Sequence, residues 1–244
     1  MHTYLSDCGH PEATPEAMVA AAREAGLEAM GFTDHVIFPE DRARPAALRL
    51  ELAARVEGLR VFIGCEADMQ SPTRMTIDRE FAAGLDYVIL AASHLYVPGV
   101  ELPAELNPRT MAALILELTR AAIATGLADI IPHPFAVPSC PYAWQELVAA
   151  ADREAVSRVA EAAARAGVAI ELNPRFLRLA PEEATWLFTR VLEAGCKFAI
   201  SSDAHHPSHV GCRGERYATE DELRALGVTE DRVWSIEDRL RACR

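Results

Sequence analysis

The residues best equipped for chemistry are eight histidines: His2, His10, His35, His94, His133, His205, His206 and His209. Four of them (His35, His94, His133 and His205) fall at or just past the C-terminal end of a short apolar run, and Glu66 and Asp203 hold the same kind of position. One histidine there is ordinarily a hydrogen-bonded loop residue. Four in the same register, interspersed with carboxylates, predict a metal site. Imidazole mixed with carboxylate suits zinc, manganese or iron, whereas calcium and magnesium favour all-oxygen shells. Asp34, beside His35, reads either as a turn residue or as a carboxylate that orients a metal-bound imidazole.

The elements that must position these groups alternate along the chain. Strands are predicted over Glu28–His35, Arg60–Asp68, Tyr87–Leu95, Ala128–Pro134, Ala169–Pro174 and Lys197–His205, rich in Val, Ile and Phe as buried parallel strands are. Helices are predicted over Thr14–Ala25, Pro45–Leu59, Pro72–Ala83, Asn107–Thr125, Trp144–Ala166 and Pro181–Ala194. Thr14-Pro15 reads as an N-cap followed by proline at the first helical position, and Gly26, Gly84, Gly126, Gly167 and Gly195 stand where helices should stop. Strand–helix alternation over the whole length implies a parallel α/β barrel or a doubly wound sheet. A barrel converges its strand ends on one face, as these histidines require.

Composition limits the function. The net charge of −12 lacks the basic stripe of a broad nucleic-acid binder. Six scattered cysteines with no C-x-x-C pair read as reduced thiols of a cytoplasmic protein, and no apolar run reaches 18 residues. The expectation is one domain over residues 1–244.

These motifs, in this order, resemble the PHP (polymerase and histidinol phosphatase) family of metal-dependent phosphoesterases. HTYLSDCGH resembles the second half of its H-x-H-T-x-x-S segment, and GFTDH its T-D-H strand. GCEAD supplies the strand-borne Glu, AASH and IPHP the next histidines, AIELN the E-x-N strand and SSDAH the closing S-D-A-H. The resemblance implies a distorted (β/α)7 TIM-like barrel, here with its first strand truncated, holding two or three divalent ions (Zn, Mn or Fe). Carried over by motif, one ion would take His2, Glu66 and Asp203. A second would share Glu66 and add His94 and His133, and a third would take His10, His35 and His205. Asp7 competes for the role given to His10, and Asn173 would support a ligand. Glu66, Asp203 and His205 would be the catalytic core around a metal-bridging hydroxide that cleaves a phosphate ester, with histidinol phosphate the family's best-known small phosphomonoester. Arg175, Arg178 and Arg213, in loops after strands, and His206 are the candidates for contacting a small phosphorylated substrate. The loops Val97–Leu106 and Phe135–Tyr142 are proline-rich and candidate lids, and Val36–Arg44 is a further pocket-lining candidate. Oligomeric state is not legible.

The family's opening D-x-H-x-H is incomplete, because His2 takes the second histidine's place. Either translation starts upstream or the first site lacks one ligand, and that site is expected to bind most weakly, with the Met1 amine as a conceivable substitute. Two rivals stand beside this reading. An amidohydrolase-type metallohydrolase barrel is disfavoured in its lysine-bridged form, since the only lysine, Lys197, opens its strand at the wrong end. A PHP-like domain with impaired catalysis is favoured by the missing histidine and opposed by the retention of the other ligand positions.

Overall fold

The computed structural model describes residues 1–52, 58–211, 218–237 and 239. Its elements are α1 (Pro15–Glu24), β1 (Ala29–Phe32), β2 (His35–Val36), α2 (Arg44–Leu52), β3 (Arg60–Ile63), β4 (Cys65–Ser71), β5 (Arg74–Met75), α3 (Arg79–Ala83), β6 (Val88–Ala91), α4 (Pro108–Ala124), β7 (Ile130–Ile131), α5 (Trp144–Ala150), α6 (Arg153–Ala166), β8 (Ala169–Glu171), α7 (Pro174–Leu179), α8 (Pro181–Glu193), β9 (Phe198–Ala199) and α9 (Glu220–Leu226).

Each of the six predicted strands contributes in sequence order to parallel pairing. β1 pairs with β3, and after a break the same two stretches pair again as β2 and β4. The break is local: Gly64 N donates to Phe32 O, and a Cβ at Gly64 would lie 2.6 Å from Tyr87 O. The larger sheet then runs β2-β4-β6-β7-β8-β9. Its strands β7 and β8 are wholly buried, which explains why they read as apolar runs without alternation. The helices α4, α6 and α8 pack side by side against one another, closing an apolar core built around residues such as Leu90, Ile115, Ile131, Leu172, Phe188 and Phe198.

Three expectations change. The predicted helix Pro72–Ala83 is a hairpin, β4–β5, with a bulge between Met69 and Ser71, followed by the short α3 capped by Asp78. Trp144–Ala166 is two helices, because Ala151 is extended and Asp152 caps a fresh helix start through Ala155 N at 2.7 Å. No pairing among the described strands closes the sheet, so the parallel α/β architecture is present without a closed barrel. At the seam between the sheet's ends, Met1 and His2 reach across: Thr33 N donates to Met1 O and His2 N to Ala204 O, both at 2.8 Å. Beneath them lies a cavity of about 510 Å³ walled by Phe62, Tyr87, Ile89, Ile130, Trp234 and Ile236. The final stretch of predicted helix Pro45–Leu59, at 53–57, lies outside the described residues.

Candidate metal centre

The strand ends deliver the predicted groups to one place. His35 and Glu66 are register partners across β2 and β4, while His94, His133 and Asp203 follow β6, β7 and β9. Glu66 is the hub and is only 3% exposed. Its Oε2 lies 3.2 Å from His2 Nε2, and its Oε1 lies 3.1 Å from His133 Nε2 and 3.7 Å from His94 Nε2. His2 Nε2 is also 3.2 Å from Asp203 Oδ1, and the His2 ring stacks on those of His35 and His205 at 4.7 and 4.5 Å. Donor atoms come within 4.8 Å of one another in the sets His2–His35–Glu66, Glu66–His94–His133, His35–Asp68–His94 and His2–Cys8–His205.

Two of these residues sit on unusual backbone. His133 has φ 24° and Asp203 φ 46°, a region that L residues with a Cβ occupy only when their surroundings fix them. For His133 the fixing group is Glu171, whose carboxylate accepts from the His133 backbone N–H and, at 2.9 Å, from Ser201 Oγ. Ser93 Oγ reaches His133 Nδ1 at 3.1 Å.

The electrostatics fit a cation. Burial disfavours charge on Glu66, yet His35, His133 and His2 hold its carboxyl far below the usual range. Burial likewise opposes charging of His133, but Glu66, Glu171 and Asp203 push it up to about 9. His2 is raised for the same reason by Asp203, Cys8 and Glu66, against its burial. A field that draws protons onto buried imidazoles also draws divalent ions, which would displace those protons. Buried His2 Nδ1, His35 Nδ1 and Asp68 Oδ2 have no hydrogen-bond partner, a costly arrangement for a site without a ligand. The donor set of imidazoles and carboxylates fits a divalent metal ion.

The predicted residues divide into those gathered here and those placed elsewhere. His2, His35, Glu66, His94, His133, Asp203 and His205 converge. His10 does not: its ring meets His206 edge-on at 4.7 Å and groups with Glu12, with His206 Nε2 3.2 Å from Glu12 Oε2. His206 therefore belongs to that exposed cluster and not to the cleft. Asp7 lies 3.6 Å from Arg44. Asp34 orients no imidazole directly. It accepts from Thr3 N, Thr3 Oγ1 and Ser6 Oγ at 2.6, 2.7 and 2.7 Å, anchoring the loop between His2 and His10. Asn173 caps α7 through Arg175 N at 3.0 Å while facing the cleft. Arg175 lines the cleft, whereas Arg178 is spent on Glu222, with Nε–Oε1 and Nη2–Oε2 contacts of 2.8 and 2.9 Å. Arg213 lies outside the described residues. The Met1 amine hydrogen-bonds Thr33 Oγ1 at 3.0 Å and Gly31 O at 3.3 Å, which leaves its proposed ligand role without support.

Three residues at the cluster were not picked out from the sequence. Asp68 is fully buried, and its Oδ1 accepts from His94 Nδ1 at 2.7 Å; its spacing of two from Glu66 puts it on the same strand face. Glu171 was visible in the E-x-N strand. Cys8 lines the cleft, with its Sγ within 4.8 Å of donor atoms of His2 and His205 and with His35 nearby. Burial opposes its ionisation, but those imidazoles bring the thiol down to about 4.

Above the cluster, a cleft of about 680 Å³ is walled by Tyr96, Phe135, Val137, Tyr142, Trp144 and Phe176. The two proline-rich loops meet here: Tyr142 Oη donates to Leu106 O at 2.7 Å, and Trp144 stacks on Phe176 at 4.4 Å while donating to Pro134 O.

Parallel strands that gather histidines and carboxylates at their ends form a donor set able to hold metal ions, the kind of centre that metal-dependent hydrolases use. The PHP domain family matches residues 1–175, and the chain belongs to that family: it is a metal-dependent phosphoesterase. It is similar to a "probable histidinol-phosphatase" of Deinococcus radiodurans, 29% identical over 235 residues, covering 87% of each chain. Among solved structures, it resembles an uncharacterised protein at a TM-score of 0.41 and 12% identity, covering 85% of this chain and 65% of that one. A 5-methylcytosine deaminase of Klebsiella pneumoniae with bound 5-fluorocytosine aligns at a TM-score of 0.30 and 16% identity, over 88% of this chain and 51% of that one. No helix among the described residues is long and apolar enough to cross a membrane.

Proposed function

We propose that this phosphoesterase hydrolyses a small phosphomonoester, histidinol phosphate first among the candidates, with two or three ions of zinc, manganese or iron at the Glu66 cluster. The observation that carries the reading is the convergence of His2, His94 and His133 on one buried carboxylate, with Asp203 against the same His2 nitrogen. His2, Glu66 and Asp203 would hold one ion, Glu66, His94 and His133 a second, and His35 and His205 contribute to a third. Such ions supply Lewis acidity at a phosphoryl oxygen and a water acidified towards neutral pH. Asp68 holds the His94 ring by accepting its Nδ1 proton, which turns Nε2 towards Glu66. Glu171 keeps His133 on its strained backbone. Arg175 is the cleft arginine able to bind phosphate oxygens, and the Trp144–Phe176 stack offers an apolar wall to the leaving group.

In this reading the parallel sheet is a TIM-like barrel with its seam at Met1–His2, one domain over residues 1–244. The free thiols of Cys8, Cys65, Cys140 and Cys196 support a cytoplasmic location, and the −12 charge favours a small substrate over nucleic acid. The lysine-bridged amidohydrolase rival is weakened further, since Lys197 lines a separate cavity with Asp129, Gly195 and Arg239 at the other end of β9. The test is turnover of a panel of phosphomonoesters, including histidinol phosphate, by metal-reconstituted protein. Preference for an imidazole-bearing monoester is expected. Hydrolysis of amides or cyclic amidines with phosphate esters untouched would overturn the proposal.

A further inference from the structure

The loop Val36–Arg44 gives no side chain to the described wall of the cleft, yet it folds around a buried ion pair that reaches back to the cluster. Asp41 is 5% exposed, and its Oδ2 accepts from the backbone N–H groups of Ile37 and Phe38 at 3.0 and 2.9 Å. Its Oδ1 lies 2.9 Å from Arg44 Nη2, and the Arg44 side chain is 15% exposed. A carboxylate buried this deeply is costly without a cation, so the loop that fixes Asp41 also fixes the guanidinium. The other arm of that guanidinium, Nη1, donates to His35 O at 2.7 Å. On the other side of the same residue, His35 N donates to Ser6 Oγ at 3.0 Å, and Ser6 Oγ is bound to Asp34. Strand β2 is two residues long, shorter than strands that hold themselves by their ladder. Both backbone polar groups of His35 are therefore held by side chains, just where its ring must stack on His2 at 4.7 Å and meet His94 edge-on at 5.4 Å.

We propose that Arg44 is a positioning residue of the metal centre, acting through His35: its two-armed guanidinium, anchored on Asp41, holds the His35 carbonyl and thereby sets the imidazole against Glu66. Arginine is needed because one nitrogen serves the carboxylate while the other serves the carbonyl. A lysine ammonium keeps the charge but lacks the planar fork that holds both at once. Arg42, two residues earlier, cannot take over, since it is turned to Asp78 Oδ2 and Thr76 O at 2.6 and 3.2 Å. The loop expected to line the pocket thus acts on the site from behind. This inference needs a metal at the cluster and is independent of which ester is cleaved.

The experiment measures apparent Zn²⁺ affinity by chelator competition, with the apo melting temperature, for Arg44→Lys in the wild-type and His35→Ala backgrounds. Arg44→Lys is expected to weaken zinc binding about tenfold or more in the wild type. Once His35 is removed, the same change should alter affinity less than twofold, because the effect travels through that imidazole. The apo Tm should shift equally in both backgrounds, since the His35 carbonyl and the Asp41 pair are present in each. Arg42→Lys is the control and should bind zinc within twofold of wild type. Asp41→Asn keeps an acceptor for Ile37 N and Phe38 N while releasing the guanidinium, so it should repeat the His35-dependent loss and decides the matter if Arg44→Lys does not fold. Zinc affinity within twofold of wild type, or an equal loss with and without His35, overturns the positioning role and leaves the phosphoesterase reading standing. No zinc bound by the wild type overturns both.

Discussion

Asp68→Asn separates positioning of a metal ligand from support of the fold. In the wild type a carboxylate oxygen can only accept, so His94 Nδ1 carries the proton across the 2.7 Å contact and Nε2 is left free to face Glu66. The amide is nearly isosteric but lacks the charge, and its NH2 can turn to Nδ1 and favour the wrong tautomer. Loss of such a carboxylate partner weakens metal binding or turnover by about 10–100-fold, or about 1.4–2.7 kcal/mol. Stability should move the other way. Burial raises the Asp68 pKa despite the opposing pull of His94. Its ionised form therefore destabilises the metal-free fold as pH climbs past the ordinary carboxylate range, and the amide carries no such penalty. The assay is metal affinity by chelator competition, with kcat/KM and the apo melting temperature measured near neutral pH. Weaker affinity with an unchanged or raised apo Tm is expected. Affinity within twofold of wild type, with a lowered apo Tm, would refute the positioning role.

Other perturbations probe separate links. Asp34→Ala strands three donors of the loop that carries Cys8 and should cost about 3 kcal/mol or more in denaturant unfolding; a loss below about 1 kcal/mol would show that the anchor is dispensable. Arg175→Ala should raise KM about tenfold or more while leaving kcat within about threefold, as for loss of one charge-assisted phosphate contact; a fall in kcat alone would contradict it. Glu222, bonded by Arg178, has its pKa lowered from 4.5 to about 2. Its stabilisation is fully present above 4.5 and lost as pH falls towards 2, and being largely solvent-screened it is worth less than about 1 kcal/mol. Glu222→Gln should therefore flatten the acid limb of the stability profile and leave turnover near wild type.

Much of the architecture was legible because burial and strand chemistry coincide. Wholly buried β7 and β8 read as apolar runs, and Glu66, His94 and His133 stand where such runs end. The break in Trp144–Ala166 was harder to see, since Ala151-Asp152 disturbs the apolar period little while Asp152 caps a new helix. Other outcomes depended on contacts distant in sequence. Arg178 looked free until Glu222, 44 residues on, claimed it. The turn of the His10 ring towards Glu12 and His206 goes with a close approach between Gly9 and Thr3 that residue types alone do not encode. Asp68 was missed for another reason: a buried acid on a strand face reveals its role only when its imidazole partner, 26 residues away, is placed against it.

The most direct measurement is the metal content of chelator-free protein compared with Glu66→Gln, read alongside hydrolysis of an aryl phosphate. Glu66 faces His2, His94 and His133, so the wild type should hold two or three equivalents of transition metal and turn over substrate, with both lost to chelator and restored by added ion. Glu66→Gln should lose at least one equivalent and nearly all turnover. Full metal content and activity in Glu66→Gln, or hydrolysis by wild type that is indifferent to chelator, would contradict a metal centre built on this carboxylate.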